Sequence, residues 1–297
     1  MKMKVIPVGF ALAIFTGSLA ENAGAQITGN LGTTSVQYGS PLAVQTINTG
    51  FGNSTGGGDA SGSELDAAYG SISGGNLYLF LAGNYQDNGN SLNIFIADGR
   101  TGQSTLNTSV GPLSAMNGST FSPGFSATLA LDFNDYQGTL YANAADLVGN
   151  TGGYQGSVGL TGGIGSGTYS DGILAALNNT HASTMGASGT TLSGATSGAN
   201  TLTGLELEIP LSLLGNASGN IEVLADINGN GDGYLSNQLL PGQPVGTGNL
   251  GTATLNLGST PNQYFTVPAP SPVPEPSTLA LGGLSGLAML FVVRRRR

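Results

Sequence analysis

Apolar residues recur at every second position in several short runs of this chain. In residues 205–209 (LELEI), Leu205, Leu207 and Ile209 alternate with Glu206 and Glu208. Such a period of two is typical of a β-strand with one buried face. Outside the two termini, no segment sustains the 3.6-residue period of a helix. The sequence therefore predicts an all-β fold, an antiparallel β-sandwich, for a single body spanning residues 26–268.

Glycine and asparagine turns separate the expected strands. We expect Glu206 and Glu208 to face water, and residues 211–215 to form one helical turn that ends at Gly215. Two glycine- and serine-rich stretches, 149–168 and 183–200, are expected to be surface loops. The expected strands are residues 65–72, 77–82, 91–97, 128–133, 139–147, 205–209, 221–227, 252–257 and 263–267.

The charge distribution restricts the partners of the body. Residues 26–268 contain 14 of the 16 acidic residues but only one basic residue, Arg100. A surface this acidic repels phosphate backbones, which argues against a nucleic-acid partner. Cysteine is absent, which excludes disulfides, thiol catalysis and cysteine metal sites.

The N-terminus has the three parts of an export signal. Lys2 and Lys4 precede a short apolar run, residues 5–15, and Ala23-Gly24-Ala25 forms a small-x-small cleavage pattern. We expect signal peptidase to remove residues 1–25 by cutting between Ala25 and Gln26. The alternative is a short anchor that stays attached, but 11 apolar residues are far fewer than the roughly 20 that span a bilayer.

The C-terminus, residues 269–297, is built as a spacer followed by a short apolar helix. Prolines dominate up to Pro274-Glu275-Pro276 and keep the spacer extended. Residues 278–293 are expected to form the helix; the 15 uncharged residues 279–293 would reach about 22 Å, against a bilayer core of about 30 Å. A buried core helix is the alternative. The chain ends on four arginines, which predict a membrane stop on the cytoplasmic side: Arg294, Arg295, Arg296 and Arg297.

The segment 272–297 resembles the PEP-CTERM sorting signal. The resemblance rests on Pro274-Glu275-Pro276, the glycine-bearing apolar helix and the terminal arginines, which occur in the same order. It implies processing near Pro274–Pro276 by an exosortase, a membrane cysteine protease of Gram-negative bacteria that make extracellular polysaccharide. The chain would be anchored in the inner membrane first and would then reach the cell surface or the medium.

Part of the body resembles DOMON-like and family 9 carbohydrate-binding-module-like sandwiches, which have a jelly-roll type of fold. The resemblance lies in LELEIPLSLLG at residues 205–215 and in the hairpin of residues 62–84. It implies a β-sandwich more than any ligand. That family's sugar sites often contain tryptophan, which this chain lacks.

One loop has the spacing of a calcium site. Asp226, Asn228, Asn230 and Asp232 place oxygen-bearing side chains at alternate positions, and Gly231 permits a sharp turn. The EF-hand pattern is incomplete, since Asn237 occupies the twelfth position. The alternative is a simple Asn/Asp/Gly turn after the strand 221–227. The sequence predicts no other cofactor.

The remaining polar residues favour a non-catalytic role. His181 is the only histidine, which excludes multi-histidine zinc sites and leaves no recognisable hydrolase triad. The pairs Glu206/Glu208 and Asp132/Asp135 have the composition of a glycosidase acid pair. We expect the two glutamates to be solvated instead, and the two aspartates to lie in a turn.

We therefore expect an exported, structural or adhesive protein of the envelope or the extracellular polysaccharide layer, not an enzyme. Its expected partners are signal peptidase, an exosortase, the inner membrane during processing, and extracellular polysaccharide. A carbohydrate-binding module, with or without calcium, is the alternative. A glycosidase is the third possibility.

Overall fold

The computed structural model describes residues 25–47, 49–52, 62–180 and 198–270. This part of the chain is built almost entirely from strands, in agreement with the predicted all-β class. The strands are β1 (Ala43–Val44), β2 (Glu64–Ser73), β3 (Asn76–Asn84), β4 (Ser91–Ala97), β5 (Leu129–Asp135), β6 (Thr139–Asp146), β7 (Thr151–Gly159), β8 (Ile164–Thr168), β9 (Leu174–Asn178), β10 (Gly204–Pro210), β11 (Ile221–Asn228), β12 (Leu235–Leu240) and β13 (Phe265–Val267).

The strands form two antiparallel sheets. The first sheet has the order β1-β2-β3-β10-β9-β8, and the second has the order β12-β11-β4-β5-β6-β7, with β13 also paired to β11. β7 and β8 are consecutive in the chain but lie at the edges of different sheets. Every strand pair within the described residues is antiparallel.

The main core contains the inward-facing residues of both sheets. Leu205, Leu207 and Ile209 of β10 join it, as the alternation predicts. Leu79 of β3 and Ile94 of β4 join it as well, and both are fully buried. Burial of such side chains contributes about 1.5–3 kcal/mol each, so the alternating pattern specifies the packing of the two sheets.

A second apolar layer covers the outer face of the second sheet. Phe95 of β4 points away from the main core and packs against Phe121, with ring centroids 4.9 Å apart. Phe125 lies 5.4 Å from Phe121 and 5.5 Å from Tyr264. A 3-10 turn, Leu113–Met116, completes this layer. The strands β4, β5, β11 and β12 of the second sheet are therefore buried on both faces, whereas β7 is largely exposed.

The prediction that residues 149–168 form a loop is wrong, because they contain the strands β7 and β8. Their glycines allow close pairing: a side chain at Gly152 would bring its Cβ within 2.1 Å of the Ala144 carbonyl oxygen. Residues 252–257, predicted as a strand, form irregular backbone instead. The sequence analysis also missed β9 and β12.

The prediction that Glu206 faces water is wrong as well. The N-terminal segment, residues 25–38, covers the outer face of the first sheet, and Glu206 is 0% exposed. Its Oε2 accepts hydrogen bonds from the backbone N–H groups of Thr28 (2.7 Å) and Gly29 (2.9 Å). Its Oε1 accepts from the hydroxyls of Thr34 (2.6 Å) and Tyr38 (3.1 Å). Glu208 is partly exposed, as expected.

The predicted turn at residues 211–215 is confirmed. Leu211–Leu214 form a single 3-10 turn, and Gly215 adopts the left-handed conformation, with φ 61°. Most of the predicted signal peptide and the tail helix 278–293 lie outside the described residues, as does His181. Among the described residues, none of the helices is long and apolar enough to cross a membrane.

Candidate functional site

A row of polar side chains crosses the outer face of the second sheet. Asp226 of β11 lies opposite Asn93 of β4, which lies opposite Asp132 of β5. Asp132 in turn lies opposite Asn143 of β6 and accepts a hydrogen bond from its Nδ2 at 2.9 Å. Four adjacent strands therefore bring four polar side chains into line across the outer face of the sheet.

Asp232 approaches this row from the loop between β11 and β12. Gly231 and Asp232 both have positive φ angles, 72° and 57°, which fold the loop back over the sheet. The Asn93 Nδ2 donates to Asp232 Oδ1 at 2.9 Å and to Asp226 Oδ1 at 3.3 Å. One amide group thus lies between two carboxylates.

The three carboxylates are completely buried and incompletely hydrogen-bonded. Asp132, Asp226 and Asp232 are each 0% exposed, and each keeps one side-chain oxygen without a hydrogen-bond partner: Oδ1 of Asp132 and Oδ2 of the other two. The Asn93 Oδ1 and the Ser91 hydroxyl are also buried without a partner. Buried polar atoms normally have partners, so five bare oxygens on neighbouring side chains require an explanation.

Burial and mutual repulsion disfavour the ionised forms of these acids. Desolvation raises the pKa of Asp226 to about 7, and the charge of Asp132 adds to the effect. Desolvation followed by the charge of Asp132 raises the pKa of Asp232 well above its ordinary value. Desolvation also raises the pKa of Asp132. The Ser91 hydroxyl lowers the pKa of Asp132 and Asp232, although its geometry falls short of a hydrogen bond.

Among the described residues, no basic side chain neutralises this cluster. Arg100 is the only lysine or arginine between residues 26 and 268. It forms an ion pair with Asp98, with 2.5 Å between Nη2 and Oδ2. Its Nη2 also donates to the Leu213 carbonyl oxygen at 3.2 Å. Neutralisation therefore has to come from protons or from a cation.

The calcium site predicted in the loop stays a prediction, but the structure shows where its residues lie. Asp226 and Asp232 come together, but Asn228 acts as a turn residue: its Oδ1 accepts from the Gly229 and Tyr234 N–H groups, both at 2.9 Å. The side chain of Asn230 is outside the described part. Within that part, no three carboxylate, imidazole or thiolate groups are spaced to hold a metal ion as the side chains stand.

Sequence reasoning missed Asp132 and Asn93, and the expected turn role of Asp132 is wrong. Both residues occupy outward positions on strands whose inward positions are apolar. The alternation alone gives their orientation, but the alignment of β4 between β5 and β11 is a long-range pairing that the sequence does not show. Had that pairing been known, the polar row could have been found from the sequence.

Asp135 is a separate buried acid at the end of β5. It is 4% exposed, and it lines a narrow cavity with the apolar residues Leu140 and Leu177. Desolvation, with a smaller effect of Asp87, raises the pKa of Asp135 to about 7. The folded state therefore holds this carboxyl in its neutral form below pH 7.

Asp135→Asn is expected to flatten the pH dependence of stability. Below about pH 4 the Asp135 carboxyl is protonated in both the folded and unfolded states. Between about pH 4 and 7 the carboxyl ionises in the unfolded state only, so wild type loses on the order of 2–4 kcal/mol relative to Asp135→Asn. Above pH 7 the folded state ionises too, and the difference levels off. Urea unfolding at pH 4, 5.5, 7 and 8 measures this difference. The partly exposed Asp146, changed to Asn, is the control; an Asp135→Asn curve parallel to wild type would contradict the assignment.

The expected processing sites are only partly described. At the signal cleavage site, Ala25 is partly buried against the apolar cluster that contains Ile27, and the Gln26 N–H donates to the Ser35 hydroxyl at 2.6 Å. Pro274, Glu275, Pro276 and the four terminal arginines lie outside the described residues. The last strand, β13, ends at Val267, directly before the proline-rich spacer.

Residues 272–297 match the PEP-CTERM protein-sorting motif. This confirms the predicted sorting tail and implies an exosortase as the processing partner of an exported chain. The match is confined to the C-terminal segment and does not identify the body. No curated protein and no solved structure matches this chain. The resemblance to DOMON-like and family 9 carbohydrate-binding-module-like sandwiches therefore stays a prediction.

Proposed function

We propose that this chain is a non-catalytic structural or adhesive protein that is exported, held briefly in the inner membrane and released by an exosortase. The PEP-CTERM motif at residues 272–297 carries the proposal. Signal peptidase would cut after Ala25, and the exosortase would act near Pro274–Pro276. The released body would then lie at the cell surface or in the extracellular polysaccharide layer.

The end of the body suits this processing route. Val267 on β13 is fully buried and pairs with Ile221 of β11. The last residue of the last strand is therefore packed in the core, directly before the spacer. The segment 268–276 contains five prolines, which resist both helix and sheet formation. A spacer of this composition would keep the cleavage site away from the folded body.

The positions of the buried acids support a non-catalytic role. A glycosidase needs two carboxyl groups that flank a substrate in a cleft. Asp132, Asp226 and Asp232 are covered by the outer apolar layer, and Glu206 is covered by the N-terminal segment. A sugar chain could reach none of these groups without unfolding part of the body.

Mass spectrometry of the protein purified from its host tests the route. We expect a mature N-terminus at Gln26 and a C-terminus near Pro274–Pro276. Replacing Pro274, Glu275 and Pro276 by alanine should leave the full tail attached in nearly all molecules, because the exosortase recognises this motif. The matched control replaces Pro268 and Pro270, which lie in the spacer outside the motif. Retention of Arg294–Arg297 in the wild-type protein would refute the proposal.

A carbohydrate-binding module is the second candidate. Three tyrosines in the described part keep large exposed areas, which suits stacking on sugar rings; they are Tyr136 (45%), Tyr154 (60%) and Tyr234 (43%). Glycan-array binding that is lost on changing these tyrosines to alanine would favour this candidate. Uniform absence of binding would leave the structural role.

A further inference from the structure

We infer that Asp132, Asp226 and Asp232, together with Asn93 and Ser91, form a calcium site inside the body. These residues place carboxylate, amide and hydroxyl side chains from β4, β5, β11 and the β11–β12 loop next to one another in one buried cluster, and an ion would have to draw the three carboxylates closer than they now stand. The site differs from the loop pattern in the sequence, since two strands remote in the chain contribute to it and Asn228 does not. It stands independently of the sorting tail.

The first argument is the set of bare oxygens. Each of the three carboxylates keeps one oxygen without a partner, and the two neutral side chains each add another. Because every one of these residues is at most 1% exposed, water does not satisfy the free atoms from outside. Ca²⁺ takes six to eight oxygen ligands and accepts irregular geometry, which suits such a group.

The second argument is the position of the Asn93 amide. Its Nδ2 donates to both Asp226 and Asp232, whereas its Oδ1 has no partner. The two ends of an amide have nearly the same shape, and a half-turn exchanges them. With a cation between the carboxylates, the half-turn directs Oδ1 toward the cation. The same amide that separates the two acids would then join them as ligands.

The third argument is charge. Three buried carboxylates are held together without a basic neighbour, because Arg100 is paired with Asp98. Removing isolated ionised carboxylates from water is far costlier than burying neutral groups. A divalent cation offsets this cost and keeps all three acids ionised at neutral pH.

The donor chemistry selects the ion. An all-oxygen set with three carboxylates favours a hard cation over zinc or copper, which prefer nitrogen and sulfur. Magnesium retains several of its waters and demands near-octahedral geometry. A fully buried site under Met116 and the loop 230–232 leaves little access for those waters. Calcium is therefore the expected occupant.

Calorimetric titration and thermal unfolding of the full chain test the site. We expect one Ca²⁺ to bind per chain. The unfolding midpoint should rise by roughly 10 °C between EGTA and calcium at about 1,000 times the Kd, and magnesium should produce a smaller shift. Asp226→Asn and Asp232→Asn should each weaken calcium binding by on the order of 100-fold, since fewer ligand charges lower the affinity of such sites.

The same variants separate a metal site from a merely structural role. In EGTA, Asp226→Asn and Asp232→Asn should unfold at the wild-type temperature or above it, because each removes a buried charge. In calcium, wild type and the control Asp87→Asn should show the full rise, since Asp87 is exposed, whereas a 100-fold weaker variant at the same calcium concentration should show only about a third of it. Identical wild-type midpoints in calcium and EGTA would mean that protons neutralise the cluster, and would overturn the inference. That comparison needs no variant, so it decides the question even if a substitution prevents folding.

Discussion

Glu206→Gln is expected to destabilise the protein by about 3 kcal/mol and to release the N-terminal segment from the first sheet. The buried Glu206 carboxylate accepts four hydrogen bonds, all from residues 28–38. An amide offers one acceptor oxygen in place of two, so two buried donors lose their partner. Each such loss costs about 1–3 kcal/mol. Urea unfolding gives the stability change, and limited proteolysis within residues 26–38 detects release.

Glu208 provides a matched control on the same strand and the same face. It is partly exposed, and its Oε1 accepts a hydrogen bond from the Asn76 Nδ2 at 2.6 Å. Glu208→Gln should change stability by less than about 1 kcal/mol and leave residues 26–38 protected. Equal effects of the two substitutions would show that Glu206 does not hold the segment.

The alternating pattern of the sequence is sufficient to predict most of the sandwich. The strands β3, β4, β10 and β11 were predicted nearly to their ends, because their inward residues are large and apolar while turns of glycine and asparagine bound them. The orientation of Leu205, Leu207 and Ile209 followed from the same pattern. These features depend on residues that are neighbours in the chain, so local reasoning succeeds.

The errors arise where a remote segment covers a strand. Glu206 looks like a solvated residue in LELEI, and only residues 25–38, nearly 170 positions away, bury it. Strands β7 and β8 contain many glycines and few apolar residues, so hydrophobicity does not reveal them. Asp132 and Asn93 meet Asp226 through the order of the strands in the sheet. None of these relationships can be recognised from local patterns.

The outer apolar layer is also built by contacts between segments that are remote in the chain. It covers the candidate calcium site. It consists of irregular backbone between β4 and β5 and around Tyr264, held on the sheet by aromatic packing. Met116 from this layer lies 3.3 Å from the Asn93 amide nitrogen. Loosening the layer should therefore expose the carboxylate cluster to water.

Phe125→Ala is expected to destabilise the protein by about 3–5 kcal/mol, the usual cost of truncating a buried phenylalanine. Phe125 is 2% exposed and lies between Phe121 and Tyr264, so its loss leaves a cavity where the layer contacts itself. Hydrogen exchange should increase in residues 104–127 more than in β10. Phe125→Leu keeps much of the side-chain volume and should cost less than half as much stability. Tyr154→Ala changes a largely exposed residue and should leave the stability almost unchanged. Exchange that rises equally in both sheets would mean that the layer is not a separate unit but unfolds together with the sandwich.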